Sequence, residues 1–397
     1  MPGEDALRPS RCAVIGSGVL GVSVAARLAE AGVEVMLLEQ AEPGHAATGS
    51  SFAWLNSNDK TPRAYHDLNH AGMRAWARLS AGLDGVQWYR PVGNIEWAAT
   101  GSGRARLAAR VRRLAGWRYP ARLIDAAEAA ALEPALRLPA AVKQVAWFPA
   151  EGYLLTGPLT RQLAGRAARH GATVLTGEAG RVVGLATASG AVRAVRTADG
   201  QLMPVDAVVC CAGRWTPEVA ALAGAACPVP LVPWASPGAA APGLVVHAGP
   251  VTPAGPMRVV HAPQVYLRPR AGGLMQLEAP DAAVDLHTPQ SELRRWADEL
   301  LRRARRAVRG LDDASVAGYR VCVRPMPADG QPIVGWLPGV GGLYVAVTHS
   351  GVTLGAHLAE LITAELVSGT PAAEIAPYQP GRFNPGTNPA ANQGPGG

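Results

Sequence analysis

The sequence predicts an α/β fold in which a parallel-sheet domain is interleaved with a second, β-rich (α+β) domain. Three observations predict it. The chain opens on a strand–helix–strand pattern over residues 11–39, strand signals dominate residues 257–278, and another buried strand followed by a helix returns at 343–366. A strand–helix–strand unit of this length needs a crossover connection, so its two strands are expected to run parallel.

The first unit is assigned from its apolar spacing. Residues 11–15 (RCAVI) are a short apolar run and predict a buried strand. Residues 18–31 place leucine and valine along one face and predict a helix. Residues 33–39 (VEVMLLE) predict a second buried strand, which completes the unit.

The later elements alternate between helix and strand patterns. They are a helix at 63–80, strands within 86–98, a helix at 156–170, a strand at 172–175, strands and hairpins at 181–209, strands at 257–261, 264–268 and 273–278, a helix at 290–309, a strand at 316–324, and the closing strand 343–347 with a helix from about 352 to 366. The Pro-, Gly- and Ala-rich stretch 227–256 is interpreted as the re-entry into the β-rich domain rather than as a linker.

The strand ending in VVCCAG and the late strand–turn–helix are interpreted as parts of the first domain, to which the chain returns. The predicted first domain therefore comprises residues 8–80, 150–225 and 322–376, the second comprises 81–149 and 226–321, and the Pro-, Gly- and Asn-rich residues 377–397 are predicted to be a disordered tail.

Composition narrows the class of protein. The chain has 397 residues, of which 48% are hydrophobic and 17% charged, which is ordinary for a packed protein. The net charge is +7, but many arginines are spaced along predicted helices such as 294–309. This spacing favours solvent-exposed helix faces over a nucleic-acid-binding surface. We therefore expect no nucleic-acid partner.

Cysteine usage and hydropathy predict the compartment. The five cysteines are odd in number and show no CxxC or Cys/His ligand spacing, so we expect a reduced, cytoplasmic chain without a metal site. The first eleven residues include acidic residues and lack an apolar core, so they do not predict a signal peptide. No apolar run approaches the ~20 residues that span a bilayer, so no transmembrane segment is expected.

Three glycines predict a dinucleotide site. Gly16, Gly18 and Gly21 form GxGxxG between the first strand and the first helix. In such a Rossmann-like unit the glycines allow the tight turn, the approach of a pyrophosphate to the backbone, and close helix packing. Glu39 ends the next strand, at the spacing expected of an acid that binds ribose hydroxyls.

The cofactor could be a flavin or a nicotinamide dinucleotide. An NAD(P)-dependent enzyme would complete its nucleotide fold early, whereas this chain returns to it late, which favours FAD. The loop EPGHAATGSSFAWLN follows Glu39 and carries Thr48, Ser50 and Ser51. Its small, hydroxyl-bearing residues suit close contacts to phosphates and a flavin ring.

Several motifs, in order, resemble those of the D-amino-acid oxidase, glycine oxidase and sarcosine oxidase family of flavoproteins. They are GxGxxG with Glu39, the ATGSS loop, VVCCAGRWT, VYLRP, VRPMPADGQPIVG and GLYVAVTHSGVTL, spread over residues 10–368. The resemblance implies FAD, a Rossmann-like FAD-binding domain interleaved with a β-rich substrate domain, and oxidation of an amine carbon. The cofactor-binding residues it implies are Gly16, Gly18, Gly21, Glu39, Thr48, Ser50, Ser51, Val182, Gly213, Cys322, Ser350, Gly351, Val352 and Thr353.

The resemblance also implies substrate-binding residues. Arg324 matches an arginine that binds the substrate carboxylate in amino-acid oxidases of this family, and its planar fork can form two charge-assisted hydrogen bonds. Tyr266 matches a tyrosine that helps to hold the same carboxylate. His349, in the HSG turn before the last helix, is a further candidate contact or a structural turn residue. Trp54 and Trp215 are candidate pocket walls or core residues.

Cys322 carries two alternatives. It occupies the position at which sarcosine-oxidase-like members attach the flavin, seven residues before Asp329, but amino-acid oxidases usually have glycine there and keep the arginine. This chain has both Cys322 and Arg324, so covalent attachment stays open beside a buried, inert cysteine.

The predicted reaction is hydride transfer from the carbon next to an amine to the flavin, followed by hydrolysis of the imine. An amino acid or an N-substituted glycine is the expected small-molecule substrate, with oxygen or another compound as electron acceptor. One alternative is a dehydrogenase that reduces a quinone or a protein. Another is a dinucleotide-binding protein without catalytic activity.

Overall fold

A computed structural model of the protein describes residues 8–253 and 255–384. In chain order its strands are β1 (Arg11–Ile15), β2 (Glu34–Glu39), β3 (Trp54–Leu55), β4 (Tyr89–Arg90), β5 (Asn94–Glu96), β6 (Arg122–Asp125), β7 (Gln144–Phe148), β8 (Gly152–Leu154), β9 (Thr173–Thr176), β10 (Val182–Ala188), β11 (Ala191–Thr197), β12 (Leu202–Pro204), β13 (Ala207–Cys210), β14 (Pro242–Gly249), β15 (Val259–Ala262), β16 (Val265–Arg270), β17 (Leu274–Glu278), β18 (Ser315–Val323), β19 (Ile333–Trp336) and β20 (Leu343–Val347). The α-helices are α1 (Val19–Glu30), α2 (Ala47–Ser50), α3 (Arg63–Ala81), α4 (Gly101–Gly116), α5 (Ala126–Leu132), α6 (Thr156–Arg169), α7 (Thr216–Ala221), α8 (Gln290–Ala307) and α9 (Gly351–Ser368).

The described residues fall into two compact units. The first comprises residues 8–49, Thr156–Val232 and 324–384. Its main sheet has the order β19-β20-β13-β1-β2-β9, in which every pair is parallel except β19 with β20. Helix α1 packs against α6 and α9. This confirms the predicted parallel crossover and the α/β class.

The second unit comprises Ser50–Leu155 and Pro233–Val323. Its main sheet has eight strands in the order β18-β14-β17-β16-β15-β5-β7-β6. All its pairs are antiparallel except β15 with β5. The β-rich character predicted for this region is confirmed.

The two faces of the eight-stranded sheet differ in chemistry. One face presents alternate apolar residues such as Leu244, Val260, Leu267 and Leu277, which pack in one buried cluster with the inner side of α8. The other face, which we call the polar face, presents the residues between them. On β5, β15, β16, β17, β14 and β18 these include Asn94, Glu96, His261, Tyr266, Arg268, Arg270, Gln276, Glu278, His247, Arg320 and Cys322. Because successive strand residues alternate between faces, the apolar residues place this whole polar set on one side.

The unit boundaries differ from the predicted ones. Residues 50–80, including α3, belong to the second unit, although the sequence grouped them with the first. The amphipathic pattern of α3 predicts a helix but contains no signal for the sheet on which it packs.

The predicted disordered tail is wrong for residues 377–384. The chain there continues from a 3₁₀ turn at Ala373–Tyr378 into another at Pro380–Phe383. Tyr378 is buried, and the guanidinium of Arg382 donates to Asp329 at 2.9 Å. The Pro- and Gly-rich composition of this segment predicts disorder and contains no signal for the burial of Tyr378 or the ion pair of Arg382. Residues 385–397 of the predicted tail lie outside the described residues.

Helix α4 was not predicted, since its first residues are Gly-Ser-Gly. Thr100 caps it, because its hydroxyl oxygen accepts a hydrogen bond from the Gly103 N–H at 3.0 Å. Strand β14 lies inside the Pro- and Gly-rich stretch that was interpreted as the re-entry into the β-rich domain. Across residues 8–253 and 255–384, no helix combines the length and apolarity needed to cross a membrane.

Candidate functional site

Backbone atoms crowd two of the three glycines in the turn between β1 and α1. Gly16 has φ of +97°, and a Cβ there would lie 2.6 Å from the carbonyl oxygen of Cys211. A Cβ on Gly21 would collide with the carbonyl oxygen of Gly16. Both glycines are therefore required by the turn and by close packing, as the motif predicts.

Gly18 leaves room at the start of α1. It caps the helix without a side-chain hydrogen bond, and the first turn contains no acidic residue. The Val19 N–H donates to Oγ1 of Thr48 at 3.0 Å, so Thr48 lies at the same helix end. The other N–H groups of a first turn have no helical carbonyl partner, and together with the helix dipole they favour an anion. This end of α1 fits a pyrophosphate.

Glu39 lies directly beside the glycine turn. Its Oε2 accepts hydrogen bonds from Ser17 N at 2.8 Å and Ser17 Oγ at 3.0 Å, and its Oε1 accepts one from Ala41 N at 3.0 Å. An ionised carboxylate has about four acceptor positions, so capacity remains for a ribose hydroxyl.

The HSG turn leads into α9, whose N-terminal end lies beside that of α1. Ser350 caps α9 and is buried, whereas His349 is exposed. A Cβ on Gly351 would lie 4.0 Å from Val19 Cγ1, so the N-terminal ends of α1 and α9 are neighbours. Val352 and Thr353 lie in the first turn of α9. Two positive helix ends therefore converge in the first unit.

Val182 and Gly213 lie at other strand ends of the first unit. Val182 begins β10, two residues after Gly180, where a Cβ would collide with the backbone oxygen of Glu39. Gly213 follows β13 with φ of +59°, in the turn that also contains Trp215. The unit thus brings together the predicted glycines, Glu39, Thr48 and the HSG turn, and this arrangement fits FAD.

Ser50 and Ser51 belong to the second unit instead, where their loop is fixed from the polar face. Nε2 of Gln276 donates to the Ser51 carbonyl oxygen at 2.7 Å, and Nε of Arg268 donates to the Phe52 carbonyl oxygen. Ala53 has φ of +58°, a conformation unusual for a residue with a Cβ. Side chains of β16 and β17 therefore hold this loop in a specific conformation.

Tyr266 lies on the polar face, half-buried. Burial raises the pKa of its phenol to about 12, helped by the negative charge of Glu96, so the hydroxyl is neutral and can donate. Its ring contacts His261, with centroids 4.2 Å apart, and His261 contacts Trp54 edge-on at 4.2 Å. Tyr266, His261 and Trp54 form a continuous aromatic wall.

A buried carboxyl group, that of Glu151, supports this wall. Its Oε2 accepts hydrogen bonds from Trp54 Nε1 at 2.9 Å and Asn94 Nδ2 at 3.0 Å, and its Oε1 accepts one from Tyr119 Oη at 2.7 Å. Asn94 Nδ2 also lies 3.4 Å from His261 Nδ1. Burial outweighs these bonds and raises the pKa of Glu151 to about 8, and it lowers the pKa of His261 to about 3.

Sequence reasoning missed Glu151, His261 and Arg268. Glu151 precedes a glycine in what reads as a turn, and His261 ends a short apolar strand. The alternation of β16 could have placed Arg268 on the face of Tyr266, two residues away.

The remaining candidates lie at the end of β18. Cys322 is buried, forms no disulfide, and pairs across the sheet with Gly243. Arg324 follows β18 directly and is half-buried at the start of the last segment of the first unit. Within the described part of the chain, no cluster of three or more His, Cys, Asp or Glu residues could hold a metal ion.

Comparison with protein families and curated proteins agrees with this geometry. The model of the family described as DAO, FAD dependent oxidoreductase, matches residues 11–365. An uncharacterized oxidoreductase of Bacillus subtilis (strain 168), YurR, is 30% identical over 398 residues, which cover 92% of this chain and 97% of that protein.

Solved structures share the fold. L-proline dehydrogenase from P. horikoshii is 19% identical with a TM-score of 0.80, and the match covers 95% of this chain and 98% of that one. Glycine oxidase from Geobacillus kaustophilus is 23% identical with a TM-score of 0.78, and the match covers 94% and 98%. The predicted Rossmann-like fold with a β-rich second part is therefore confirmed.

Proposed function

Because this chain belongs to the DAO family of FAD-dependent oxidoreductases, we propose that it oxidises the amine carbon of an amino acid or an N-substituted glycine. FAD would bind the first unit through the start of α1, Glu39 and the HSG turn. Tyr266, on the polar face of the second unit, would contact the substrate. We place the enzyme in the cytoplasm, on the cysteine usage of its sequence.

The observation that carries this proposal is the pair Arg324 and Tyr266 in their family motifs. Arg324 supplies two parallel N–H donors for a carboxylate, and Tyr266 supplies a neutral hydroxyl whose ring is fixed by His261. Together they would orient the amine-bearing carbon of the substrate. The aromatic wall of Tyr266, His261 and Trp54 would exclude water from it.

When bound, FAD would accept the hydride from the carbon next to the amine, and the resulting imine would hydrolyse in water. This chain's residues need supply only orientation and a dry surface if the amine arrives neutral. Burial lowers the pKa of His261 to about 3, so its imidazole is neutral and adds no positive charge beside Tyr266.

The test is anaerobic bleaching of the bound flavin by a panel of amino acids, N-substituted glycines and uncharged amines. We expect rapid loss of the blue absorption band with carboxylated amines only. Bleaching by uncharged amines alone, or by no amine at all, would refute the proposal. The second result would favour a dinucleotide-binding protein without catalytic activity.

A dehydrogenase that reduces a quinone or protein acceptor is a second candidate. Residues 350–353, at the start of α9, read SGVT, whereas the family resemblance implies a glycine-richer sequence there in the oxidases, and this departure is the reason to consider an acceptor other than oxygen. Hydrogen peroxide formed in proportion to substrate would establish the oxidase. Turnover only with an artificial quinone would establish the dehydrogenase.

A further inference from the structure

Three arginines form a cationic row on the polar face of the eight-stranded sheet. Arg268 and Arg270 lie on β16, and Arg320 lies on β18. His247 of β14 lies between them, because it pairs with Gln276 of β17, which in turn pairs with Arg268. The row starts two residues from Tyr266 on the same face of the same strand.

None of these arginines forms an ion pair with any described residue. Arg268 is only 3% exposed, and its hydrogen bonds go to neutral oxygens, those of the Phe52 and Pro269 carbonyls and of Gln276 Oε1. Arg270 donates to Nε2 of His247 at 2.9 Å. A half-buried Arg270 and an exposed Arg320 leave the row open to solvent.

The charges in the row repel one another. Burial lowers the pKa of Arg268 to about 9, with Arg270 as a further cause, and the charge of Arg320 adds to burial in lowering the pKa of Arg270. Burial and all three arginines lower the pKa of His247 to about 4, so this imidazole is neutral and serves as an acceptor. Glu278 of β17 is the one carboxylate on the neighbouring strands that acts on Arg268, so cations outnumber anions here.

A buried cation without an anion is costly, and neighbouring cations raise that cost. The cost falls when an anion binds at the open end of the row. Along a strand, alternate residues on one face are roughly 7 Å apart, so Arg268 and Arg270 lie roughly 7 and 13 Å from Tyr266, measured between backbones. An anionic group at Arg270 would lie beyond Tyr266 along the same strand.

We propose that this row binds a second carboxylate of the substrate, so that the enzyme prefers amines that carry two carboxylates. The inference rests on the proposed function for its substrate class. The half-buried Arg270 and the exposed Arg320 contact the second carboxylate, and the buried Arg268 adds positive charge on the same face of the sheet.

A binding experiment tests the row without turnover. The flavin-loaded enzyme is titrated by calorimetry with succinate and with butyrate, which has the same number of carbons and one carboxylate. We expect succinate to bind at least tenfold more tightly, as one additional charged hydrogen bond implies. Arg270→Gln and Arg320→Gln should each remove most of that difference. Arg295→Gln, which removes an exposed arginine of α8, is the matched control and should leave it unchanged.

Kinetics separate this proposal from the proposed function. Iminodiacetate and N-methylglycine differ by one carboxylate, and Arg270→Gln should raise KM about tenfold for iminodiacetate but less than twofold for N-methylglycine. Equal affinity for succinate and butyrate would overturn the row as a binding site. So would an equal rise in KM for iminodiacetate and N-methylglycine in Arg270→Gln. Flavin bleaching by monocarboxylated amines in that same preparation would leave the proposed function intact. Selective succinate binding without bleaching by any amine would instead refute the proposed function and keep the anion site.

Discussion

The candidate sites of the two units consist of different chemical groups. In the first unit the site consists of backbone: three glycines, the ends of α1 and α9, and one carboxylate beside them. In the second unit it consists of side chains, many of them ionisable and buried, on the polar face of the sheet and on the segments that contact this face. A backbone site binds through geometry that few substitutions leave intact, whereas a side-chain site binds through charges that substitutions and pH can tune.

This difference fits the division of labour proposed for the chain. A dinucleotide presents the same phosphates to every enzyme that uses it, so a fixed arrangement of N–H groups suffices. A substrate varies from one enzyme to the next, and side chains can be exchanged without changing the strands that carry them. The following predictions test the contrast, from the largest expected effect to the smallest.

Gly18→Val should abolish FAD binding. The hydrogen at this position would become a carbon 3.1 Å from Thr48 Oγ1, with two methyl groups beyond it that fill the space at the helix end. We expect purified protein without the flavin absorption bands. Gly165→Val in α6, where a Cβ meets only Arg169 at 3.7 Å, is the control and should retain FAD. A fully flavinated Gly18→Val protein would show that the pyrophosphate binds elsewhere.

Arg324→Ala should lower kcat/KM for carboxylated amines at least tenfold. Each hydrogen bond to a charged group contributes roughly 1.5–3 kcal/mol, and a tenfold change corresponds to about 1.4 kcal/mol. Arg324→Lys should restore part of the activity, because one ammonium replaces one of two N–H contacts. Tyr266→Phe should cost less than Arg324→Ala, since it removes a neutral donor. Flavin content, measured by absorbance, should not change, and full activity of Arg324→Ala would contradict the assignment.

Glu151 should make stability depend on pH. Burial holds its pKa at about 8, against an ordinary value of 4.5, so the folded protein keeps a proton that the unfolded chain releases. Its contribution to the free energy of unfolding is therefore complete below pH 4.5 and falls by about 1.4 kcal/mol per pH unit until pH reaches about 8. Urea denaturation at pH 5.5 and 7.5 should show this loss in the wild type and not in Glu151→Gln. Parallel pH dependence of the two proteins would place the pKa of Glu151 near its ordinary value.

Cys322→Ala should change the least. We predict that heat or acid denaturation of the wild type releases free FAD, because Cys322 stands beside the arginine pattern of members that bind FAD without a covalent bond. The variant should then release the same amount. Denatured protein that stays yellow and carries the mass of FAD, but loses both properties in Cys322→Ala, would establish a thioether instead.

The two units also differ in how much of each candidate site could be predicted from the sequence. The turn at Gly16, Gly18 and Gly21 is local in sequence, so spacing alone identified β1, α1 and β2 almost to the residue. Thr48 and the HSG turn followed from motifs of the same local kind. Each of these motifs is a short run of residues that can be recognised in the sequence, although the contacts between the motifs cannot.

The second unit depends on contacts between distant residues. Glu151 accepts hydrogen bonds from residues 32 to 97 positions away, and Arg268 reaches a carbonyl 216 positions away. No spacing rule connects such partners, so the aromatic wall and the cationic row became visible only in three dimensions. Tyr266 was found through a motif, but its neighbours on the polar face were not.

The strand order of the first unit has a consequence for synthesis of the protein. Strand β13 needs β20 on its open side, and α1 needs α9, yet both partners lie after residue 340. A ribosome that has made three quarters of the chain has therefore exposed β1, β2 and β13 without the elements that complete their sheet. Until the residues after 340 are synthesised, the first unit lacks β20 and α9, so the parts of β13 and α1 that these elements cover stay exposed, and such incomplete intermediates are prone to aggregate.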